Sequence, residues 1–279
     1  MPWDPAQYHR FATERAQPFH DLCDLVQPDG PVHRAVDLGC GTGELTVAVA
    51  ERFGIAETIG VDSSPEMLAV ARQIEARPIA AGRVTFVAGD LADWTAGAIR
   101  PEWATGVDLV LANASLHWVP DHATVLARWA DSLAPGGWLA VQVPANAGHP
   151  SHLASAAVAH TEPFRSAFDG DPPSDPVAAN VLAPARYASI LHGLGLTDVH
   201  ARLQVYLHEL PDSATVVDWT RGTSLTRFFD RLPVGLHEAF VDAYRSELLE
   251  RIGHHAPYLF TFDRILLRAR RPGPGPSPG

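Results

Sequence analysis

Residues 35–43 read Ala-Val-Asp-Leu-Gly-Cys-Gly-Thr-Gly, and the run Glu-Leu-Thr-Val-Ala-Val-Ala follows directly at 44–50. The apolar start predicts a short strand, and the residues after Gly43 have the pattern of a helix. Glycines 39, 41 and 43 lie between these two elements, and glycine permits positive φ angles and exposes bare backbone to a ligand. A strand, a glycine turn and a helix in this order predict an α/β fold that binds a nucleotide-like molecule.

The spacing of the glycines distinguishes between cofactors. A dinucleotide fingerprint, G-x-G-x-x-G/A, would place its third small residue at position 44, which is Glu44. An acidic side chain there would face a pyrophosphate. The observed G-x-G-x-G, with Asp37 two residues before the first glycine, suits S-adenosylmethionine (SAM), which has no phosphate. An NAD-dependent oxidoreductase is therefore the weaker alternative.

Polar residues follow the next three predicted strands. The strand 58–61 ends at Asp62, an acid placed to accept hydrogen bonds from the ribose hydroxyls. Ser64 and Pro65 are a typical helix N-cap and first helical residue. Met67 can then lie against an adenine, and Asp90, after the strand 84–87, can accept from the adenine amino group. The strand 107–111 leads into Asn113-Ala-Ser-Leu-His-Trp118. These loops lie at the carboxyl ends of strands, where open α/β sheets bind ligands.

Composition excludes several classes of protein. The 279 residues carry a formal net charge of −11, and all 21 basic residues are arginine. The acidic balance argues against nucleic acid as a partner. We find neither a secretion signal nor an apolar run long enough to cross a bilayer, and we therefore expect a cytoplasmic protein without a membrane partner. We expect a monomer or a weak dimer.

Cysteine and histidine do not indicate a metal site. The two cysteines, Cys23 and Cys40, fit a reducing compartment, and Cys40 is best explained as a small residue that fits the glycine turn. The 14 histidines include neither an H-E-x-x-H motif nor a Cys/His set with zinc spacing. We expect no metal.

The chain divides into five predicted segments. Residues 1–30 form an N-terminal helix (4–27) that closes over the cofactor, and 31–147 form a Rossmann-like SAM-binding core. Within this core, Ala-Pro-Gly-Gly at 134–137 predicts a stop before the strand 138–143. Residues 148–197 are a linker with helices. Residues 198–271 hold two strands, and a helical insertion at 211–255 covers the cofactor as a lid. Residues 272–279 are a disordered tail.

Several motifs resemble those of class I SAM-dependent methyltransferases, and within this class those of the trans-aconitate methyltransferase family. The resemblance extends over about Trp3 to Arg271. Its motifs are Trp3-Asp-Pro-x-x-Tyr8-x-x-Phe11, Asp37 to Gly43, Asp62-Ser-Ser-Pro-x-Met67, Gly89-Asp-Leu-x-x-Trp94, Asn113 to His122, Ala140 to Pro144, and Asp218-Trp219. The glycine motif is shared by many methyltransferases, whereas the stretch 113–122 combined with Gln142 is more specific.

The resemblance implies a doubly wound, seven-stranded, mostly parallel sheet with an antiparallel hairpin at one edge. It also implies a set of SAM contacts, in which Arg15 closes over the SAM carboxylate. The predicted cofactor-binding residues are Arg15, Asp37, Gly39, Cys40, Gly41, Asp62, Ser63, Met67, Asp90, Leu91, Asn113 and Ser115.

One run departs from the family pattern. Where the family has Gly-Leu-Arg-Pro, this chain has Ser224-Leu225-Thr226-Arg227, so the arginine is displaced by one residue. On a helix, one residue corresponds to a rotation of about 100°. The guanidinium would then point elsewhere, which weakens the prediction of a tricarboxylate substrate but not that of methyl transfer.

The acceptor of the methyl group is less defined than the cofactor. His117 is the candidate catalytic residue, as an acceptor-binding group or a base, and the alternative is that it only bonds loop backbone. The predicted substrate-binding residues are Tyr8, Trp118, Gln142, Tyr187, Trp219, Arg221 and Tyr258. The alternative for the tyrosines and Trp219 is that they pack in the core. Trp118 could instead cap the sheet edge, and Gln142 could only orient a water molecule. Arg221 and Arg227 could clamp an anion or be solvated.

These observations leave three hypotheses for function. The first is a SAM-dependent small-molecule O-methyltransferase that acts on a carboxylate by in-line displacement. The second is methylation of a hydroxyl or amine of a secondary metabolite, with His117 as general base. The third is a SAM-binding protein that has lost transfer activity.

Overall fold

The structure is a computed structural model that describes residues 12–75, 82–104 and 106–273. The strands in these residues form one seven-stranded sheet, mostly parallel with antiparallel strands at one edge. They are β1 Arg34–Leu38, β2 Glu57–Asp62, β3 Arg83–Ala88, β4 Val107–Asn113, β5 Leu133–Pro144, β6 Thr197–Leu210 and β7 Tyr258–Arg270. The order across the sheet is β3-β2-β1-β4-β5-β7-β6. The predicted fold class is therefore confirmed.

Helices connect the strands. They are α1 Ala12–Leu25, α2 Glu44–Phe53, α3 Pro65–Glu75, α4 Ala96–Ile99, α5 His122–Asp131, α6 Pro150–Ala159, α7 Phe164–Ala167, α8 Pro176–Asn180, α9 Pro184–Gly193, α10 Thr215–Arg221, α11 Thr226–Phe229 and α12 His237–Ile252. The predicted start of α3 is confirmed, because Pro65 is its first residue and the Ser64 hydroxyl accepts a hydrogen bond from the Met67 N–H at 3.2 Å. Residues 4–11 of the predicted N-terminal helix and residues 274–279 of the predicted tail lie outside the described residues.

The prediction of a stop at 134–137 is wrong. β5 begins at Leu133 and runs through Ala-Pro-Gly-Gly. Leu133 pairs with Val107 and Trp138 pairs with Leu109, so the register shifts between these two pairs and the intervening residues form a bulge. Gly136 has a φ of 83°, which glycine adopts without strain. The breaker residues therefore bend the strand instead of ending it.

The chain folds into two compact units. The first, the insertion unit, comprises Ala145–Ala179 and Val205–Arg264 together with the described residues up to Gln17. The second, the sheet unit, comprises the described residues of Pro18–Pro144, Asn180–Gln204 and those from Ile265 onward. The insertion unit has its own core, which includes Phe164, Phe228, Phe240 and Tyr244. None of the helices in the described part of the chain has the length and apolar composition needed to cross a membrane.

A single phenylalanine in the sheet unit requires glycine at two positions. Phe86 of β3 pairs in register with Gly60 of β2. A Cβ added to Gly60 would lie 2.5 Å from the Phe86 ring, and a Cβ added to Gly43 would also lie 2.5 Å from it. The ring is buried with Cys40, Leu68 and other apolar residues. The glycines therefore make room for a ring that packs beneath the turn after β1.

The sheet unit also buries a carboxyl group in β1. Asp37 is 3% exposed, and its Oδ2 accepts a hydrogen bond from the Thr46 hydroxyl of α2 at 2.6 Å. Burial raises the pKa of Asp37 to about 6, although the bond from Thr46 opposes this effect; the nearby charge of Asp62 adds to it. Asp37 thus joins β1 to the first turns of α2.

We expect Gly60→Ala to lower the free energy of unfolding by about 1 to 3 kcal/mol, because the new Cβ would overlap the Phe86 ring. Gly193→Ala at the end of α9 is the matched control, since its Cβ would meet no atom within 4 Å. The control should change stability by no more than about 1 kcal/mol. Urea unfolding of both variants measures the difference, and equal stabilities would contradict this packing.

We expect the stability of the wild type to fall between pH 4 and pH 6 relative to that of Asp37→Asn. The pKa of Asp37 is raised from 3.8 to about 6 by folding, so the folded state binds the proton more tightly. The resulting stabilisation, roughly 3 kcal/mol, is complete below pH 3.8 and is lost as the pH rises through 6. Denaturant unfolding across this range provides the test, and parallel curves for the two proteins would exclude the raised pKa.

Candidate active site

The glycine turn after β1 is fixed on one side and bare on the other. The N–H groups of Gly39 and Cys40 donate to the Val61 carbonyl at 2.7 and 3.0 Å. A Cβ on Gly39 would lie 2.2 Å from the Cβ of Ser115, so the loop after β4 packs directly against this glycine. At Gly41, which has a φ of 56°, an added Cβ would meet nothing within 4 Å. Gly41 is therefore the point of the turn that a ligand can approach.

The carboxylate of Asp62 connects two turns. Its Oδ2 accepts from the Gly41 N–H at 2.8 Å, and its Oδ1 accepts from the Ser64 N–H at 2.9 Å. A carboxylate offers about four acceptor positions, so about two remain for a ligand. Asp62 thus fixes the backbone of the glycine turn and the start of α3 while it keeps capacity for hydroxyl donors.

The loop after β4 begins with a strained residue. Ala114 has a φ of 52°, which is uncommon for a residue with a Cβ, and its N–H donates to the Gln142 carbonyl at 2.9 Å. The Ser115 hydroxyl then donates to the Leu38 carbonyl at 2.5 Å. These bonds tie the loop to the ends of β1 and β5. Strain of this kind persists where the surrounding structure holds it, often at ligand sites.

Two amide side chains stand next to each other at the ends of β4 and β5. Asn113 and Gln142 are register partners, and Gln142 is 2% exposed. Asn113 Oδ1 and Gln142 Oε1 are buried and have no hydrogen-bond partner in the described part of the chain. A buried amide oxygen without a donor is costly. The pair therefore fits a site in which a ligand supplies the missing hydrogen bonds.

His117 and Trp118 follow in the same loop with different exposure. His117 is 6% exposed, whereas the indole of Trp118 is 59% exposed. Their rings are tilted against each other with centroids 4.7 Å apart. The carbonyl of His117 accepts from Asn180 Nδ2 at 2.9 Å, which holds the loop in place. The exposed indole is thus supported by a buried histidine.

The remaining predicted cofactor residues of the sheet unit lie on the loops that follow β1, β2 and β3, except for Met67, which lies in the first turn of α3. Asp90 is exposed and its Oδ1 accepts from the Ala92 N–H at 2.8 Å, and the Leu91 carbonyl accepts from Trp129 Nε1 at 2.9 Å. Ser63 is exposed and Met67 is half-buried. Burial raises the pKa of the Cys40 thiol, which is the behaviour of an inert, packed cysteine.

Tyr187, a predicted substrate contact with core packing as the alternative, lies in the sheet unit. Its side chain is fully buried, and its hydroxyl bonds with His122 Nδ1 at 2.6 Å and accepts from the Leu182 N–H at 3.2 Å. Burial raises the pKa of Tyr187 to about 12. The ring stacks on His122, 65 residues away in sequence. A side chain with both its ring and its hydroxyl engaged in this way favours the core-packing alternative.

Three predicted substrate residues lie in the insertion unit. Trp219 is buried, and its ring centroid lies 5.3 Å from that of Phe260. Arg221 forms an ion pair with Glu238, and the half-buried Tyr258 stacks on His255. Two further predicted residues cannot be placed: Tyr8 lies outside the described residues, and so does the side chain of Arg15.

The insertion unit contains a buried polar network that the sequence analysis missed. His152 Nδ1 donates to Asp175 Oδ2 at 2.6 Å, and Arg227 Nη1 lies 3.5 Å from the same oxygen. Burial alone would raise the pKa of Asp175, but the hydrogen bond from His152 and the charge of Arg227 hold it at about 2. Arg227 is 10% exposed and also lies over the Phe228 ring. Its guanidinium is therefore engaged with groups of the same unit, and Arg227 is not a solvated surface arginine.

The comparisons with known proteins agree with this arrangement. Residues 35–137 match the family model described as a methyltransferase domain. The chain is 40% identical to the trans-aconitate 2-methyltransferase of Deinococcus radiodurans, over 98% of this chain and 99% of that protein. It is also 40% identical to the trans-aconitate 2-methyltransferase of Streptomyces coelicolor, over 97% and 87%.

The fold is similar to that of Haemonchus contortus phosphoethanolamine N-methyltransferase 2 in complex with S-adenosyl-L-methionine. The TM-score is 0.55 at 18% identity, over 92% of this chain and 52% of that chain. Two findings identify the family. Asp62 at the end of β2 fixes the glycine turn, and the chain is 40% identical to relatives over nearly its whole length. The chain belongs to the trans-aconitate 2-methyltransferase family of class I SAM-dependent methyltransferases.

Proposed function

We propose that this enzyme methylates a carboxylate of a small acid similar to trans-aconitate, with SAM as methyl donor. The bond between the Asp62 carboxylate and the Gly41 N–H carries the cofactor part of the proposal. This bond places the open backbone of Gly41 next to the unused acceptor positions of the Asp62 carboxylate. These features fit a nucleoside without a phosphate group better than a phosphate, because a second acid, Asp37, lies in the preceding strand.

SAM supplies a methyl group on a sulfonium, so the remaining task is to hold an acceptor oxygen in line with that methyl group. In this proposal Asp62 accepts from the ribose hydroxyls, and Asp90, Leu91, Ser63 and Met67 surround the adenine. Cys40, Gly39 and Ser115 shape the turn. Asn113 and Gln142 supply amide groups at the ends of β4 and β5, and the Trp118 indole forms a wall that excludes water. A carboxylate acceptor is already ionised and needs no base.

The trans-aconitate-like acid is favoured by the names of the relatives at 40% identity. Displacement of the family arginine to Arg227 weakens the support for a tricarboxylate substrate, because Asp175 pairs with that guanidinium. We infer that Arg221, whose ion pair with Glu238 is exposed to solvent, is the arginine better able to exchange its partner for a substrate anion.

A hydroxyl or amine acceptor, with His117 as general base, is the second candidate. The burial of His117 beside the exposed Trp118 favours it, because a base needs a position near the acceptor but shielded from water. We further infer a cytoplasmic protein that is monomeric or weakly dimeric and has neither nucleic-acid nor membrane partners. The predicted segment boundaries, the closing N-terminal helix and the lid at 211–255 also stay predictions.

We expect Asp62→Ala to weaken SAM binding by at least about tenfold, because two backbone N–H groups lose a charged acceptor and the ribose loses its partner. Asp171→Ala, at an exposed position of the insertion unit, is the matched control and should bind SAM as the wild type does. Isothermal titration calorimetry gives both dissociation constants. Undiminished binding by Asp62→Ala would remove the cofactor part of the proposal.

We expect kcat with trans-aconitate to be nearly constant from pH 6 to pH 8, because carboxylates are ionised throughout this range. A histidine base would instead produce a decline on the acid side near an unperturbed pKa of about 6.5. Release of S-adenosylhomocysteine across a panel of small acids, phenols and amines measures both the rate and the acceptor. A sloping profile that becomes flat in His117→Gln would favour the second candidate, and no turnover of any acceptor would favour a protein without transfer activity.

A further inference from the structure

A basic face lies on β5, β7 and β6, which are neighbours in the sheet. It consists of Trp138, His200, Arg202 and Arg268, all in the sheet unit. The guanidinium carbon of Arg268 lies 5.4 Å from the centre of the Trp138 ring. His200 and Arg202 are two residues apart on β6 and therefore share one face of the strand. The Thr197 hydroxyl donates to the Arg270 carbonyl at 3.3 Å, which places the start of β6 beside the end of β7.

These side chains have few partners for their nitrogen atoms. Trp138 Nε1, His200 Nε2, Arg202 Nε and Arg268 Nε are buried, and none has a hydrogen-bond partner within the described ranges. Arg268 donates from Nη1 to the Leu25 carbonyl at 2.7 Å. No ion pair found in these ranges involves Arg202 or Arg268, whereas the neighbouring Arg270 pairs with Asp29 at 2.6 Å. The face thus concentrates hydrogen-bond donors; Asp198, two residues before His200 on β6, is an acid on the same strand face.

The charges on this face act on one another. Burial lowers the pKa of His200, and the positive charges of Arg202 and Arg268 lower it further, with no acid among the causes. The chain as a whole carries a formal charge of −11, so a cluster of two arginines and a histidine is unusual here. Neighbouring like charges repel each other, and the repulsion is relieved when an anion binds between them.

The face is separate from the candidate active site. Trp138 lies four residues before Gln142 on β5, which corresponds to about 13 Å along a strand. The Gly136 N–H donates to the Arg271 carbonyl at 3.0 Å, so the end of β7 meets the beginning of β5. The basic face therefore lies toward the opposite edge of the sheet from Asn113 and Gln142.

We propose that Arg202, Arg268 and His200 form a binding site for a small multivalent oxyanion, either a phosphate group or a polycarboxylate, distinct from the methyl-transfer site. The planar guanidinium groups of Arg202 and Arg268 suit two-pronged bonds to such oxygens. The proposal does not depend on the identity of the methyl acceptor.

Titration calorimetry of the full chain with inorganic phosphate and with sulfate tests the site. The wild type should bind both anions, and Arg202→Gln should weaken binding by about tenfold through loss of a charged donor. Arg186→Gln, at an exposed arginine of α9 in the same unit, is the matched control and should bind as the wild type does. Absence of binding by the wild type, or equal loss in both variants, would overturn the proposal.

The side-chain NMR signals of His200 give a second readout that a merely structural role would not move. Bound sulfate should raise the pKa of His200, because the anion stabilises the protonated ring, and the effect should disappear in Arg202→Gln. An unchanged His200 titration at saturating sulfate would place the anion elsewhere and contradict the site. Titrations of the wild type with citrate and with phosphate, each repeated with Arg202→Gln to separate binding at other positions, identify the polycarboxylate or the phosphate group as the preferred ligand by its lower Kd.

Discussion

The candidate active site depends on one carboxylate that accepts from two backbone N–H groups. Asp62, at the end of β2, binds Gly41 of the turn after β1 and Ser64 at the start of α3. Both turns lie at the carboxyl edge of the sheet, and this acceptor joins them. Hydrogen bonds to a charged group are stronger than neutral ones, so a single side chain can hold both turns.

The glycines around this carboxylate have different physical tasks. Gly39 admits Ser115 from the loop after β4, and Gly43 and Gly60 admit the ring of Phe86. Of these four glycines, Gly41 is the one that combines a positive φ with open space, so backbone can meet a ligand there. The same packing brings Asn113 and Gln142, whose amide oxygens lack partners, to the end of the neighbouring strands. Gly39, Gly43 and Gly60 thus serve the packing of the sheet, whereas Gly41 leaves backbone open to a ligand.

The sequence predicts the part of the molecule that local chemistry controls. The strand, glycine turn and helix at 35–50, the helix start at Ser64-Pro65 and the acid at Asp62 follow from backbone conformation, capping and topology, and the structure has them. Local rules fail where distant residues decide the outcome. The pairing with β4 draws Ala-Pro-Gly-Gly into β5, and the buried Tyr187 hydroxyl bonds with His122, 65 residues away in sequence. The network of His152, Asp175 and Arg227 joins residues far apart in sequence, and no local pattern indicates it.

The family, the cofactor and the methyl-transfer activity follow from the comparisons together with this geometry, whereas the acceptor and the basic face are open to experiment. A crystal structure of the enzyme with S-adenosylhomocysteine tests the central claim most directly. The account predicts the ribose hydroxyls on the Asp62 carboxylate and the nucleoside against Gly41, with the Gly41 N–H still bonded to Asp62. A nucleoside bound elsewhere, or a ribose without contact to Asp62, would contradict it.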